Sequence, residues 1–333
     1  MRRPPAPTRC ARAVLGLWLV LAGEGCYFVD LAAGQLDLVN RQQPLGQARA
    51  RETDPARRQL LAMVPDVRSY ANNVMQMRVG RSYGSYYATE AEGIVFVLVA
   101  SEQTRLEPYT FWFPIVGEVA YKSFFDEGDA REAEAELAGA GYDTWLGRAT
   151  AYSTLGFFRD PITTVMMRKG MVAFVEVLLH EMAHGRMYVR GQTDWNEQLA
   201  SFVGRLGAER YLRSRHGDDP VLMAELDRHL ARRARLEEVT GAAVAELETL
   251  YARGLPRGEV LRARARVFAA LSRELATLAP QAEPWELTVN NARLLQYRRY
   301  AAGNDVLDAL WAEAQGSWGR FWELCERHGA TLD

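Results

Sequence analysis

The sequence predicts an α+β fold in which a small N-terminal β-sheet precedes a predominantly helical half. Two short segments rich in β-branched and aromatic residues, at 94–100 and 109–113, predict strands that form a small sheet, and the second segment continues through Pro114 into 115–119. Beyond residue 198, almost every segment spaces its apolar residues as a helix does. Three turns containing glycine or proline interrupt these helices, at 217–220, 254–256 and 280–284.

Helices are also predicted before and between the strands. The Arg-rich region from 27 to about 80 has apolar residues at helical spacing and predicts one or two helices that pack on the domain. An acidic, Ala-rich segment from Glu127 to Ala138 predicts another helix, followed by a turn at 139–143. The apolar segment Met171–His184 contains no proline or glycine and predicts a buried helix.

Length and charge narrow the functional classes. The chain has 333 residues, 48% of them hydrophobic, and a mean hydropathy of -0.22, which suits a globular protein with a substantial core. A formal net charge of -2 and a pI near 6.3 argue against the concentrated basic face that binding to nucleic acid normally requires. We therefore expect no nucleic-acid partner.

The N-terminus has the layout of a secretory signal peptide. Several arginines precede an apolar run at 14–22. This run is about half the ~20 residues that a membrane-spanning helix needs, and no later uncharged stretch reaches that length, which excludes a polytopic membrane protein. A buried core helix at 13–22 is the alternative to export. We expect a signal peptide at 1–25, export to the periplasm, and a single domain at 26–333.

Three cysteines occur in the chain, and Cys10 would leave with the signal peptide. The remaining pair, Cys26 and Cys325, is too few for a disulfide framework. Cys26 directly follows the expected cleavage site, where a bacterial lipoprotein carries its acylated cysteine, although Gly23 and Glu24 depart from the usual lipobox. Acylation would anchor the protein to a membrane surface without spanning it. A plain cleaved signal with an incidental cysteine is the alternative.

Two histidines four residues apart carry the candidate chemistry. On a helix, His180 and His184 share a face and can point at one ion. Zinc favours imidazole nitrogen in a tetrahedral set of three protein ligands, with a fourth position open to water. Glu181 can accept a proton from that water, as in the HExxH pattern. The motif therefore predicts a Zn2+ site with Glu181 as the catalytic general base.

A third ligand is available in the next predicted helix. After a turn at 190–194, the segment 195–203 predicts a helix beginning with Asn196 and Glu197. The twelve residues between His184 and Glu197 allow a short loop and a return of the chain to the metal. The predicted metal ligands are therefore His180, His184 and Glu197, a His, His, Glu set.

The alternative interpretation is that these histidines bind no metal. Only five histidines occur in the chain, and two of them fall in this motif. Without catalysis, Glu181 would be a buried carboxylate with no evident partner, which is costly. The other histidines lie among charged residues or near the C-terminus, and we expect them at the surface: His216, His229 and His328.

Hydrolysis through a tetrahedral intermediate also needs a donor to the developing oxyanion, which a tyrosine or a histidine commonly supplies. Tyr152, Tyr188 and Tyr211 are candidates from the sequence. Each of them is equally compatible with a role in core packing, so the sequence selects none.

Segments spread over most of the chain resemble one bacterial family. They are 34–36, 117–125, 151–161, 180–184 with 188–189, 194–197 with 200–204, and 290–294. On these segments the chain resembles the bacterial predicted zinc-dependent aminopeptidases, which are often lipoproteins. The resemblance implies a metallopeptidase that acts on a peptide substrate and, more narrowly, an aminopeptidase.

The His, His, Glu arrangement is more distantly similar to the gluzincin peptidases, in which Asn-Glu begins the helix with the third ligand. Several gluzincins have an aspartate one turn after that glutamate to support a zinc histidine, whereas this chain has Ser201 there. No Gly-x-Met-Glu-Asn-like segment that would bind a free N-terminus is found.

The sequence thus predicts an exported zinc metallopeptidase, membrane-anchored or secreted, in which a zinc-bound water activated by Glu181 hydrolyses peptide bonds. Two alternatives remain open. One is a noncatalytic envelope lipoprotein that uses a gluzincin-like zinc site for binding or scaffolding, and the other is a zinc hydrolase of a different amide. The sequence leaves the choice between exo and endo cleavage open.

Overall fold

The computed structural model describes residues 34, 36–113, 117–149, 160–280, 282, 287–301 and 305–332. The predicted signal peptide at 1–25 and Cys26 lie outside these residues. The chain divides into two compact units, 1–42 and 43–333. In the first unit, residues 36–40 are helical. All elements described below belong to the second unit.

The second unit is α+β, as the sequence predicts, with short strands and long helices. Its helices are α1 (Leu45–Arg51), α2 (Pro55–Asn73), α3 (Glu127–Gly139), α4 (Thr164–Met167), α5 (Gly170–Arg186), α6 (Thr193–His216), α7 (Pro220–Ala252), α8 (Arg257–Leu278), α9 (Asn291–Ala301), α10 (Asp305–Glu313) and α11 (Trp318–Gly329). Its strands are β1 (Gln43–Pro44), β2 (Ser85–Tyr87), β3 (Val95–Ser101), β4 (Phe111–Phe113), β5 (Gly117–Val119), β6 (Lys122–Phe124), β7 (Asp143–Ala149) and β8 (Ile162–Thr163).

The strands form three small sheets. β3 lies between β6 and β7 in an antiparallel sheet, and Val97 of β3 is opposite Gly147 of β7. β4 and β5 form a separate antiparallel ribbon, and β2 pairs with β1 and, in parallel, with β8. The predicted strands at 94–100 and 109–113 are therefore present, but they do not form one sheet. The sequence prediction also missed β7, because Gly147 and Arg148 interrupt the apolar pattern of that strand.

Most predicted helix boundaries agree with the structure. The predicted turns at 217–220 and 254–256 separate α6 from α7 and α7 from α8. Asp219 caps α7, since its side chain accepts hydrogen bonds from the backbone N–H groups of Val221 and Leu222. The helix expected at 195–203 begins earlier, at Thr193.

Helix α5 separates the core from a cavity. One face of α5 is buried in the main apolar core through Phe174, Val175 and Leu178, among others. The other face lines a cavity of about 670 Å³, which we call the cleft. Residues of β3, β6, β7, α4, α5, α6, α7 and α9 line the cleft. The helix thus joins the core to the cleft in which the predicted site lies.

Candidate metal centre

The HExxH motif lies in the C-terminal half of α5, on the face that lines the cleft. Because residues four apart on a helix share a face, the rings of His180 and His184 lie side by side, with their Nε2 atoms 3.2 Å apart. Both side chains are largely buried. Glu181, directly after His180, also lines the cleft.

The loop between α5 and α6 brings Glu197 to these histidines. Asn196 is buried, and its side-chain amide accepts a hydrogen bond from Val189 N–H at 2.8 Å and donates one to the Val189 carbonyl at 2.7 Å. This pair of bonds satisfies the backbone of a buried loop residue and ties the loop to the first turn of α6. Glu197 then follows Asn196 directly, with its Oε2 atom 3.4 Å from His180 Nε2 and 3.5 Å from His184 Nε2.

The three facing atoms fit one tetrahedral metal ion. The separations of 3.2, 3.4 and 3.5 Å form a nearly equilateral triangle. A tetrahedral zinc ion with ligands at 2.0–2.1 Å requires ligand atoms about 3.3 Å apart. Among the residues that the structure describes, His180, His184 and Glu197 are the group whose spacing could hold a metal ion.

The electrostatics of the group also favour a cation. Burial alone would raise the pKa of Glu197, but hydrogen bonds to His180 and His184 lower it well below its ordinary value. Burial alone would lower the pKa of His184, whereas the hydrogen bond and negative charge of Glu197 raise it. The three side chains therefore stabilise positive charge between them, and a divalent cation supplies such charge.

The two histidines differ in the contacts of their outer ring nitrogens. Ser201, one turn after Glu197, has its hydroxyl 3.4 Å from His180 Nδ1. His184 Nδ1 is buried and has no hydrogen-bond partner among the described residues. Ser201 thus places a hydroxyl beside the outer ring nitrogen of His180, where a partner usually fixes the tautomer and orientation of a metal-binding histidine.

Glu181 has the properties expected of a proton-transfer group. Burial raises the pKa of its carboxyl group, the charges of His180 and His184 lower it, and the charge of Glu197 raises it again, with a net rise. A carboxyl group with a raised pKa exchanges protons more readily near neutral pH. In the structure, Glu181 has access to the cleft, where a substrate could bind.

A second polar cluster lies one helical turn before the motif and was missed by the sequence analysis. Glu176 Oε2 is 2.6 Å from His229 Nε2, and Glu176 Oε1 accepts a hydrogen bond of 2.6 Å from Arg233. All three residues line the cleft, so the prediction that His229 lies on a solvated surface is wrong. The physical reason is that α7 packs back on α5 and inserts the i, i+4 pair His229 and Arg233 beside Glu176.

The tyrosines proposed as oxyanion donors lie in different parts of the chain, and only some of them are described. Tyr188 lines the cleft, is 48% exposed, and has its pKa raised by burial and by the charge of Glu197. Tyr211 is buried in the core, donates a hydrogen bond to Asp66, and does not line the cleft. Tyr152 lies outside the described residues. Of the two described candidates, Tyr188 is therefore the one that can reach a bound substrate.

Within the described part of the chain, no helix is both long and apolar enough to cross a membrane. A comparison with curated proteins and a comparison with solved structures gave no match. The model of one family, described as "Putative aminopeptidase", matches residues 26–332. The chain belongs to this "Putative aminopeptidase" family.

Proposed function

We propose that the protein is a zinc metallopeptidase in which His180, His184 and Glu197 hold the metal and Glu181 is the general base. The triangle of ligand atoms, with sides of 3.2 to 3.5 Å, is the observation that carries the proposal. Family membership supports a peptidase function in general. A gluzincin-like arrangement agrees with ligands that come from two successive helices, α5 and α6.

The proposed hydrolysis assigns a role to each charged or metal-binding side chain of the cleft. A zinc ion, when bound, supplies a Lewis acid that polarises the peptide carbonyl and makes water more acidic. Glu181 would accept the proton of the attacking water, which its raised pKa favours, and would then pass that proton to the leaving amine. His180 and His184 hold their Nε2 atoms toward the metal position in a fixed geometry because the buried face of α5 anchors the helix.

The proposed location follows from the N-terminal sequence. We propose that residues 1–25 direct export and that acylated Cys26 anchors the protein at the periplasmic membrane surface. Incorporation of labelled palmitate that is lost in Cys26→Ser tests this directly. Export of an unlabelled, soluble protein would instead support a plain cleaved signal. Palmitate retained in Cys26→Ser would contradict acylation at this residue.

The first experiment on function measures bound metal and peptide cleavage together. Metal content is measured for the wild type, for Glu181→Gln and for a control, Glu323→Gln, whose exposed side chain does not line the cleft. Each protein is then incubated with a mixed peptide library in which the N-termini are either free or blocked. We expect zinc in all three proteins, but cleavage only in the wild type and the control.

The outcomes separate the competing functions. Cleavage restricted to free N-termini supports an aminopeptidase, and cleavage of blocked peptides supports an endopeptidase. A zinc-containing wild type that cuts no peptide favours the noncatalytic lipoprotein or a hydrolase of another amide. A wild type that binds no zinc contradicts the proposal at its first step.

A further inference from the structure

One wall of the cleft is an apolar sheet surface. Val95 and Val97 of β3 lie opposite Ala149 and Gly147 of β7 in the antiparallel register, and all four line the cleft. Trp145, two residues before Gly147, is on the same face of β7 because side chains alternate along a strand. The side chains at Val95, Val97, Trp145 and Ala149 on this wall are therefore apolar, whereas Arg148 of β7 and Ser123 of β6 add polar groups to the lining.

Helix α5 also lines the cleft, and two of its apolar lining residues, Ala173 and Val177, precede the proposed general base Glu181. Ala173, Val177, Glu181 and His184 recur at helical spacing along the cleft. Val177 is one turn before Glu181, which corresponds to roughly 6 Å along the helix axis. A side chain bound against Val177 would thus belong to a residue next to the bond that Glu181 helps to cleave.

Gly147 determines how much space this part of the cleft has. A Cβ atom added to Gly147 would lie 2.1 Å from Cη2 and 2.4 Å from Cζ3 of Trp145, so the indole lies directly against the glycine backbone. The Arg293 guanidinium is 5.1 Å from the indole centroid, and it also donates hydrogen bonds to the Tyr297 hydroxyl. The tryptophan ring is thereby held close to the sheet instead of projecting into the cleft.

We infer that this part of the cleft is the binding site for a bulky apolar side chain of the substrate, at a residue that flanks the scissile bond. Because it concerns the substrate of the same site, this inference rests on the proposed function. The cleft volume of about 670 Å³ lies within the range of small-ligand pockets, about 300–1,000 Å³. Polar groups border this apolar part of the cleft, among them Ser123 opposite Val97 and Glu176 next to Val177.

The size of the subsite is tested by moving the indole. Pairs of peptides that differ only in Phe or Ala beside the scissile bond are compared by kcat/KM. We expect the wild type to prefer Phe by about tenfold or more, in the range that buried methylene groups contribute. Gly147→Ala should displace the Trp145 ring into the cleft and lower the ratio to near one. The double variant Gly147→Ala/Trp145→Ala should recover most of the preference, because the displaced ring is gone.

A second variant and a control keep the test independent of folding effects. Val177→Asn replaces an apolar group that lines the cleft by a polar group of similar size, and we expect it to lower the Phe to Ala ratio by about tenfold. The control is Trp112→Ala, since Trp112 is 65% exposed and does not line the cleft, and it should keep the wild-type ratio. A wild-type ratio near one, or unchanged ratios in the folded Gly147→Ala and Val177→Asn variants, would overturn the inference.

A binding measurement separates failure of the inference from failure of the proposed function. In Glu181→Gln, the tryptophan fluorescence is titrated with phenylalaninamide and with alaninamide, so that no turnover is required. Tighter binding of phenylalaninamide that is lost in Glu181→Gln/Val177→Asn supports the apolar subsite even if the wild type cuts no peptide. Equal binding of the two amides contradicts the subsite whether or not peptides are cleaved.

Discussion

Gly204 of α6 packs so closely against His180 of α5 that a Cβ atom on Gly204 would lie 3.0 Å from the Cβ atom of His180. The same atom would lie 2.8 Å from the Glu176 carbonyl oxygen, which belongs to the backbone of α5 and has little freedom to move. The absence of a side chain at Gly204 therefore lets the helix with Glu197 approach the helix with the histidines.

Replacement of Gly204 by alanine should separate these two helices. We expect Gly204→Ala to lower the free energy of unfolding by about 1–3 kcal/mol, as overpacking of a close contact does, and to weaken zinc binding. Equilibrium unfolding in urea and titration with zinc measure the two effects.

The matched control for Gly204→Ala is Gly241→Ala, which should raise the free energy of unfolding instead of lowering it. Gly241 lies inside α7, is exposed, and has no atom within 4 Å of its added Cβ. Gly241→Ala should therefore stabilise the protein by about 0.5–1 kcal/mol, because alanine loses less backbone entropy in a helix. If Gly204→Ala also stabilises the protein and leaves zinc affinity unchanged, close helix packing does not shape the site.

Replacement of Asn196 by aspartate should lower the stability of the protein. Asn196→Asp keeps an acceptor for Val189 N–H but places a carboxylate oxygen against the Val189 carbonyl, where the wild type donates a hydrogen bond. A buried group left unsatisfied costs about 1–3 kcal/mol, so we expect this loss of stability and weaker zinc binding. Thermal unfolding with and without zinc measures both. The control is Asn73→Ala, at an exposed position far from Asn196 in the sequence, and it should change the free energy of unfolding by less than about 0.5 kcal/mol.

Removal of the metal should destabilise the fold only when the three ligands are intact. A ligand at 100 times its dissociation constant stabilises the native state by about 2.7 kcal/mol. We therefore expect a chelator to lower the Tm of the wild type and of His216→Ala, which alters a histidine that does not line the cleft. His184→Ala and Glu197→Gln should show no response to chelator or zinc. An unchanged wild-type Tm over this treatment would count against a metal in the folded protein.

The parts of the site that the sequence could predict are those that depend on local geometry. The spacing of His180 and His184 on one helix is enough to place both rings on one face, and the structure has them 3.2 Å apart. Glu197 could be selected because Asn196 and Glu197 begin the next apolar segment. The close contact at Gly204 could not be predicted, because it depends on the relative position of two helices.

The cluster of Glu176, His229 and Arg233 shows the same limit more clearly. His229 has charged neighbours in sequence, which is typical of a solvated helix face, yet it is only 18% exposed in the structure. Its burial results from packing of α7 on α5, which brings together residues 53 positions apart. The spacing of His229 and Arg233 by one turn was a usable signal, but nothing in the sequence identified Glu176 as their partner.

A buried ion pair outside the cleft should make a large contribution to stability when one partner is removed. The Arg264 guanidinium bonds both carboxylate oxygens of Asp143, at 2.5 and 3.0 Å, and Asn291 N–H donates a further bond to Asp143. Removal of one charge leaves the other buried and unpaired, so Arg264→Ala should lower the free energy of unfolding by about 3–5 kcal/mol.

Two comparisons test that account of the ion pair. Arg131→Ala breaks an exposed i, i+4 pair with Glu127 and should cost only about 0.3–0.5 kcal/mol. The double variant Arg264→Leu/Asp143→Leu should lower the free energy of unfolding by less than the sum of the changes in Arg264→Leu and Asp143→Leu, because neither charge remains unpaired in it. Additive effects in urea unfolding would show that the two residues act separately.

The thiol of Cys325 should report unfolding. Burial raises its pKa to about 12, the charge of Glu326 adds to this rise, and Arg186 opposes it. An exposed cysteine in an unfolded chain has a pKa of about 8.5, so at pH 8 the folded thiol has less than about a thousandth of the thiolate that the unfolded thiol has. We therefore expect iodoacetamide to modify Cys325 only in molecules that have opened.

The measurement uses Cys10→Ser/Cys26→Ser, in which Cys325 is the remaining cysteine. Its labelling rate at pH 8 should rise with urea in parallel with the unfolded fraction measured by circular dichroism. The pKa of the folded thiol lies above that of the unfolded thiol, so the buried protonated thiol contributes its full stability below pH about 8.5. This contribution to the free energy of unfolding is lost progressively as the pH rises toward about 12, because the unfolded thiol ionises first. Rapid labelling in the absence of urea would mean that α11 opens locally without global unfolding, since Cys325 lies in the buried face of that helix.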